Sequence, residues 1–195
     1  MTDAVGRSMR ERMLSGEHYI ADDPELARDL TRAARLTHRL NTMDPTDASG
    51  LREVFEELLG SFGEGSEIRP PFRCDYGYQT SVGARSFANF GLVVLDVARV
   101  TIGDDVQIGP NVQLLTATHP VDADARRDKW ESAAPIVIGS NVWLGGGVIV
   151  CPGVTIGENT IVGAGSVVTR DLPSDVVAVG SPARTVRNLG EAAEG

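Results

Sequence analysis

From residue 76 to residue 173 an aliphatic or other apolar residue returns every six positions, followed in most repeats by glycine. The frames are YGYQTS at 76, VGARSF at 82, ANFGLV at 88 and VLDVAR at 94. Two extra residues, Val100 and Thr101, intervene before IGDDVQ at 102, IGPNVQ at 108 and LLTATH at 114. The frame resumes with IGSNVW at 138, LGGGVI at 144, VCPGVT at 150, IGENTI at 156, VGAGSV at 162 and VTRDLP at 168, and the interval from 114 to 138 is itself a multiple of six. Such a period suits neither an amphipathic helix nor a hairpin ladder. It predicts a mainly β fold, a parallel β-helix in which each hexad forms one short side and three hexads close a triangular coil. The first residue of each hexad points inward, and glycine and small residues turn the corners. A narrow triangular core has little room for rings, and aromatic residues make up only 5% of the chain.

Residues 1–62 carry a different pattern and read as an N-terminal α-helical cap. In DDPELARDLTRAARLTHRL, Asp23 is placed to cap a helix that begins at Pro24, with apolar residues at Leu26, Leu30, Ala33, Leu36 and Leu40. A second helix has Leu51, Val54, Phe55, Leu58 and Leu59 on one face and Gly60 just past its end. The β-helix is expected over 63–187, interrupted by an external loop at 120–137. The segment from Asp171 to Leu189 is expected to leave the coil and finish in a short strand or helix. A C-terminal tail follows at 188–195, and its acidic end EAAEG is expected to be disordered. The net charge of −9 argues against a broad nucleic-acid surface but leaves room for a local anion site built from a few arginines. The first twenty residues are too polar for a signal peptide and no stretch has the length of a membrane span, so a cytoplasmic protein is expected. Cys74 and Cys151 lack metal-site spacing and read as free thiols.

The stretch QLLTATHP ends at the base of the insert with His119, the single histidine of the repeat region. It stands where a rigid wall hands over to the charged segment PVDADARRDKWESAAPIV, held in place yet open to solvent. An unperturbed imidazole, with a pKa of about 6.5, is mostly neutral at pH 7, as a general base must be. A polar residue closing a corner would occupy the same place, and position alone does not choose between the two.

Several blocks go beyond the hexad. They are SGEHY near the start, PPFRCDYGY at 70–78, FANF at 87–90, LD at 95–96, TATHP at 116–120, PIVIGSNVWLGGG at 135–147, PGVTIGENTIVGAGSVVTRD at 152–171 and GSPAR at 180–184. In these blocks, and in their order, the chain resembles the hexapeptide-repeat (left-handed β-helix) acetyltransferases, and among them the maltose, galactoside and nodulation-type sugar O-acetyltransferases. The resemblance implies a left-handed β-helix and direct transfer of acetyl from acetyl-CoA to a hydroxyl, with no covalent enzyme intermediate and no metal. It makes His119 the general base and puts Asn89 beside the reacting hydroxyl, where the bland reading is a corner asparagine. Glu131 matches a loop glutamate that orients the imidazole, or is a surface carboxylate. Asp75 and Asp96 are candidates to hydrogen-bond a polyol acceptor, or to hold corners.

For coenzyme A, the resemblance points to Trp143, to Gly145, Gly146 and Gly147 along the pantetheine arm, and to Arg170, Arg184 and Arg187 for the phosphates and adenine, each arginine having a solvated-surface alternative. It also implies a homotrimer with active sites between subunits, His119 facing the Trp143 and glycine coils of an adjacent chain. Two departures bear on the acceptor: Leu30 stands where the galactoside enzymes have arginine, and Val97 where they have a second aspartate. Asp22 or Asp23 could reach the acceptor from the cap. The expected activity is therefore O-acetylation of a sugar or related polyol. The alternatives are a non-sugar hydroxyl, as on an antibiotic or modified oligosaccharide, and a non-catalytic scaffold. A solenoid carbonic anhydrase carries three histidines on its coils, and this repeat has one.

Overall fold

From Val82 onward the first position of each hexad points into the prism, as the period predicts, while Tyr76 is buried in a corner. Tyr76, Val82, Ala88, Val94, Ile102, Ile108, Leu114, Ile138, Leu144, Val150, Ile156, Val162 and Val168 are no more than 5% exposed in the computed structural model, which describes residues 6–190. The fifth position points inward as well, a second column that the frame did not single out: Val106, Val112, Val142, Val148 and Val154 are buried there, with Leu92 above them. Where this column is polar, the hydroxyl is paired. Thr160 Oγ1 donates to the Pro173 carbonyl at 2.6 Å and Ser166 Oγ to the Gly163 carbonyl at 2.6 Å, so no buried donor is left unmet.

Three parallel faces result. Face I stacks Ser61–Phe62, Thr80–Val82, Val100–Ile102, Ile136–Ile138 and Thr155–Ile156. Face II stacks Glu67–Ile68, Phe87–Ala88, Gln107–Ile108, Trp143–Leu144, Ile161–Val162 and Val176–Gly180. Face III stacks Phe72–Cys74, Leu92–Leu95, Gln113–Leu115, Ile149–Val150 and Val167–Val168. The chain visits I, II and III in turn, and the antiparallel strand Ala183–Asn188 ends it by pairing back onto Val176–Gly180. Edge I–II is closed by residues in left-handed conformation, Arg85, Asp105, Asn141, Asn159 and Asp175. Their side chains form ladders: Asn141 Nδ2 donates to Asn159 Oδ1 at 3.0 Å, and Asn159 Nδ2 to Asp175 Oδ1 at 2.8 Å.

The cap closes the N-terminal end. Helix α2, Pro24–Thr42, begins with Asp23 capping Glu25 N and with Pro24 in its first turn, and helix α3 spans Ala48–Leu58. Ala33, Leu36, Leu40, Val54, Phe55 and Leu58 join Ile68, Phe72 and Val82 in one continuous core. Leu30, expected on the buried stripe of α2, is 36% exposed, and Thr37 is buried instead. A helix before it, α1 (Met9–Leu14), carries a reciprocal capping box between Ser8 and Glu11, whose S-x-x-E signature stands in the sequence.

The coils are not uniform. Partners Phe62, Val82 and Ile102 on face I are 20 residues apart, whereas Ile138 and Ile156 are 18 apart. Val100 and Thr101 are regular face I residues, paired with Thr80 and Ser81. The extra length sits instead at edge III–I, in the corners 75–79 and 96–99. The insert at the same edge is folded rather than an irregular loop: strand Ala117–Thr118, helix α4 (Ala123–Arg127) and strand Trp130–Ala133, with the coil resuming at Ile136. The acidic end of the tail, 191–195, lies outside the described residues. Among the described residues no helix is long and apolar enough to cross a membrane.

Leu114 lies on face III between Val94 and Val150 and is fully buried. Leu114→Ala opens a cavity in the middle coil and is expected to cost about 2–5 kcal/mol, read as a lower urea midpoint of unfolding.

Candidate active site at two edges of the prism

At edge III–I the two wide corners, the insert and the cap share a second small core of Met9, Met13, Tyr19, Leu26, Tyr76 and Val97, with Ala117 and Ala133 against it. The cap strand Tyr19–Ile20 pairs antiparallel with Trp130–Ala133, which pairs in turn with Ala117–Thr118. His119 follows directly and is exposed. Thr118 faces Ser132, so His119 leaves the sheet next to the strand position that adjoins Glu131. The Glu131 carboxylate accepts a hydrogen bond from Tyr19 Oη at 2.7 Å; that phenol, rather than the imidazole, is its partner here.

Asp75 is half-buried beside this sheet. Burial, followed by the charges of Asp96 and Glu131, pushes its carboxyl up to about 6. Asp96 corrects an expectation. It is fully buried, with Oδ1 accepting from Tyr76 N at 2.8 Å and Oδ2 from Thr80 Oγ1 at 3.1 Å. Burial drives its carboxyl upward, against the donors at Tyr76, Gly77 and Thr80 that pull it down. It holds the corner that presents Asp75 and Tyr76, and touches no solvent from which an acceptor could approach. Asp23 is likewise structural, 2% exposed and bonded to Met9 N and Glu25 N, while Asp22 is exposed. Tyr78 Oη and Arg10 Nε both donate to Asp29 Oδ2, at 3.0 and 2.6 Å, tying α1 and α2 to the same corner.

Edge II–III carries the other candidates. Asn89 occupies the corner position that later coils fill with Gly109, Gly145 and Gly163, by the register of face II. Its Oδ1 accepts from Phe90 N at 2.9 Å, which fixes the amide and leaves Nδ2 free to donate outward. The glycine run answers mostly to stacking. A Cβ on Gly145 would lie 2.5 Å from Ala164 N, and Gly147 has φ +70. The amides of Gly145 and Gly147 are spent inside the prism, on Val162 O and Pro110 O, each at 2.8 Å. Only Gly146 keeps an unpartnered N–H, and one coil further on Ala164, which the sequence reading did not single out, keeps another. The equivalent position holds proline at Pro110 and an amide capped by Asn89 at Phe90. The free amides therefore begin where the later coils do.

Trp143 is 54% exposed on face II. Arg184 and Arg187 extend that face from the last strand, opposite Val179 and Val177. Arg170 sits on edge III–I, with His119, and is exposed. One chain thus divides the candidates between two edges separated by strand Leu92–Leu95, four residues or about 13 Å of extended chain. Among the described residues, no group of three or more His, Cys, Asp or Glu could hold a metal ion.

The raised Asp75 carboxyl has a definite sign in stability. The folded state binds this proton more tightly than the unfolded chain, so the contribution is greatest below the ordinary carboxylate pKa of about 4 and is lost as pH rises through about 6. Asp75→Asn removes the buried charge. It is expected to raise the melting temperature by a few degrees at pH 8, with the gain vanishing near pH 4 in melting curves across that range.

The maltose acetyltransferase hexapeptide capping motif matches residues 12–63, and the six-repeat bacterial transferase hexapeptide family matches residues 135–170. The chain is 49% identical to nodulation protein L of Rhizobium meliloti, over 91% of this chain and 97% of that one. The crystal structure of a maltose O-acetyltransferase from Clostridium difficile superposes with a TM-score of 0.93 at 43% identity, covering 95% of this chain and 99% of that one. A galactoside acetyltransferase in complex with coenzyme A superposes with a TM-score of 0.90 at 37% identity, covering 94% and 92%. By its repeat, its cap and these likenesses, the chain belongs to the hexapeptide-repeat acetyltransferases, in the group that carries the maltose acetyltransferase cap.

Proposed function

We propose that the protein transfers acetyl from acetyl-CoA to a hydroxyl of a sugar or related polyol, in a site formed between two copies of a homotrimer. The observation that carries this reading is the division of the chemistry: a base edge with His119, Glu131 and Asp75, and a donor edge with Asn89 and the free amides. A general base must lie within hydrogen-bond reach of the proton it takes, and a single rigid prism keeps Asn89 and His119 a face apart. Edge III–I of one copy set against edge II–III of the next supplies both to one acceptor.

The acceptor hydroxyl gives its proton to the His119 imidazole as its oxygen attacks the thioester carbonyl. The oxyanion that develops is met by Nδ2 of Asn89, already aimed outward by the Phe90 N–H on its oxygen. Collapse of the tetrahedral adduct breaks the carbon–sulfur bond, and the imidazolium returns its proton to the departing thiolate. The products are an acetyl ester and coenzyme A. Along edge II–III, the N–H groups of Gly146 and Ala164 are spaced by one coil to meet the amide carbonyls of pantetheine, with Trp143 flanking them. Arg184 and Arg187 from the donor copy, and Arg170 from the base copy, are placed for the phosphates. Half-buried Asp75 offers a carboxylate acceptor to the hydroxyls of a polyol, and Glu131 orients the imidazole. The name of the galactoside relative, an acetyltransferase seen with coenzyme A, supports both donor and acceptor class.

His119→Ala is expected to lower kcat by about 10²–10⁴, followed as thiol release with mono- and disaccharide acceptors; an unchanged rate removes the base assignment. The shared site makes a second, sharper forecast. His119→Ala and Asn89→Ala chains, each nearly inactive alone, are expected to recover activity when co-refolded, because mixed trimers contain interfaces with both side chains intact.

A further inference from the structure

The cap matters to the site in a way that the repeat does not account for. Strand Tyr19–Ile20 is the outer member of the three-stranded sheet whose last strand, Ala117–Thr118, leads into His119, and Tyr19 is the register partner of Glu131. Register partners in an antiparallel sheet share a face. Tyr19 and Glu131 therefore lie on one face, and His119 follows Thr118, the partner of the Ser132 that adjoins Glu131. The Tyr19 ring is 1% exposed, packed with Met9, Met13, Leu26, Tyr76 and Val97. Its hydroxyl reaches out of that core to Glu131 Oε2, leaving Oε1 for the neighbour on the other side.

We propose that Tyr19 is a positioning residue for acetyl transfer: its hydroxyl fixes the Glu131 carboxylate so that it faces the His119 imidazole. The inference rests on the reading of His119 as the base and Glu131 as its orienting group. Asp75 lies close enough for its charge and that of Glu131 to repel, and Asp96 adds to the same negative field. A carboxylate in that field keeps one place only if a donor holds it there. Burial, together with the bond to Glu131, holds the Tyr19 phenol far above its usual range, so it stays a donor throughout the working pH range. A tyrosine that merely fills a core would need some partner for its hydroxyl, but not a carboxylate on the strand that pairs with the one leading to the base.

Tyr19→Phe keeps the ring and removes the one oxygen. Expected is a fall in kcat of about tenfold, the size of one hydrogen bond to a charged group, with KM for acetyl-CoA within about twofold and melting within a few degrees of the parent. On a Glu131→Gln background the same change should cost nothing further, because the carboxylate it positions is gone. An unchanged kcat in Tyr19→Phe, or an equal tenfold fall on the Glu131→Gln background, overturns the proposal. These outcomes are separable from the reading beneath it. If His119→Ala and Glu131→Gln leave kcat intact, the base assignment fails; if both lower kcat while Tyr19→Phe does not, only the role of Tyr19 fails.

Discussion

Everything in the molecule hangs on two columns of inward side chains, six residues apart, that are packed without solvent from Ile102 to Val168. Each fully buried aliphatic contributes about 1.5–3 kcal/mol, and the gain is available only if every coil keeps the register of its neighbours. The regularity leaves little freedom on the faces. Corners are another matter, because a corner can lengthen or carry an insert while the strands on either side keep their register. Chemistry in such a fold is confined to the edges, and the three edges have divided the work. Edge I–II is closed by asparagine, aspartate and arginine ladders, and the other two carry reactive groups.

Where the repeat is broken, it is broken at one edge. The first two coils are longer by two residues, and the insert leaves and returns, all at III–I. The longer corners place Tyr76 and Val97 outside the main core, where they join the cap and the insert in a second one. The same corners bring Asp75, Asp96 and Glu131 together, an arrangement that a fold optimised for stability would avoid. The burial that raises the Asp75 and Asp96 carboxyls works against folding at neutral pH.

The parts of the structure legible in the sequence are those governed by a short-range rule. Hexads locate the buried first position, Asp23–Pro24 starts α2, and the break after His119 is an insertion at a corner. What stayed hidden depends on distant partners. Val100 and Thr101 looked like the extra pair only because a linear frame cannot tell which residues of a corner are surplus; pairing with Thr80 and Ser81 decides it. Asp96 read as an acceptor ligand, because nothing local shows that Tyr76 N and Thr80 close over it. The resemblance sets Gly145, Gly146 and Gly147 alike along the pantetheine arm, though the amides of two are consumed by adjacent coils. The free N–H of Ala164 became visible only once the coils were stacked. Tyr19 lies 112 residues from its partner, beyond any periodicity. Its block, SGEHY, carries no local signal of that partner.

The division between edges also explains why a rigid scaffold suits this chemistry. A β-helix cannot close on a ligand as a hinged enzyme does, since moving one coil would break the ladder on both sides. Two fixed edges can still form one site if a symmetry operation brings copies together, and a cyclic arrangement repeats the same heterologous contact until it closes. The geometry of the site is then set once, by the rotation, and preorganisation is inherited from the prism. Only the insert and the cap remain free to vary in such a design. Tyr19 and Glu131 meet there, so the small core beneath them anchors the adjustable side of the site to the side that cannot move.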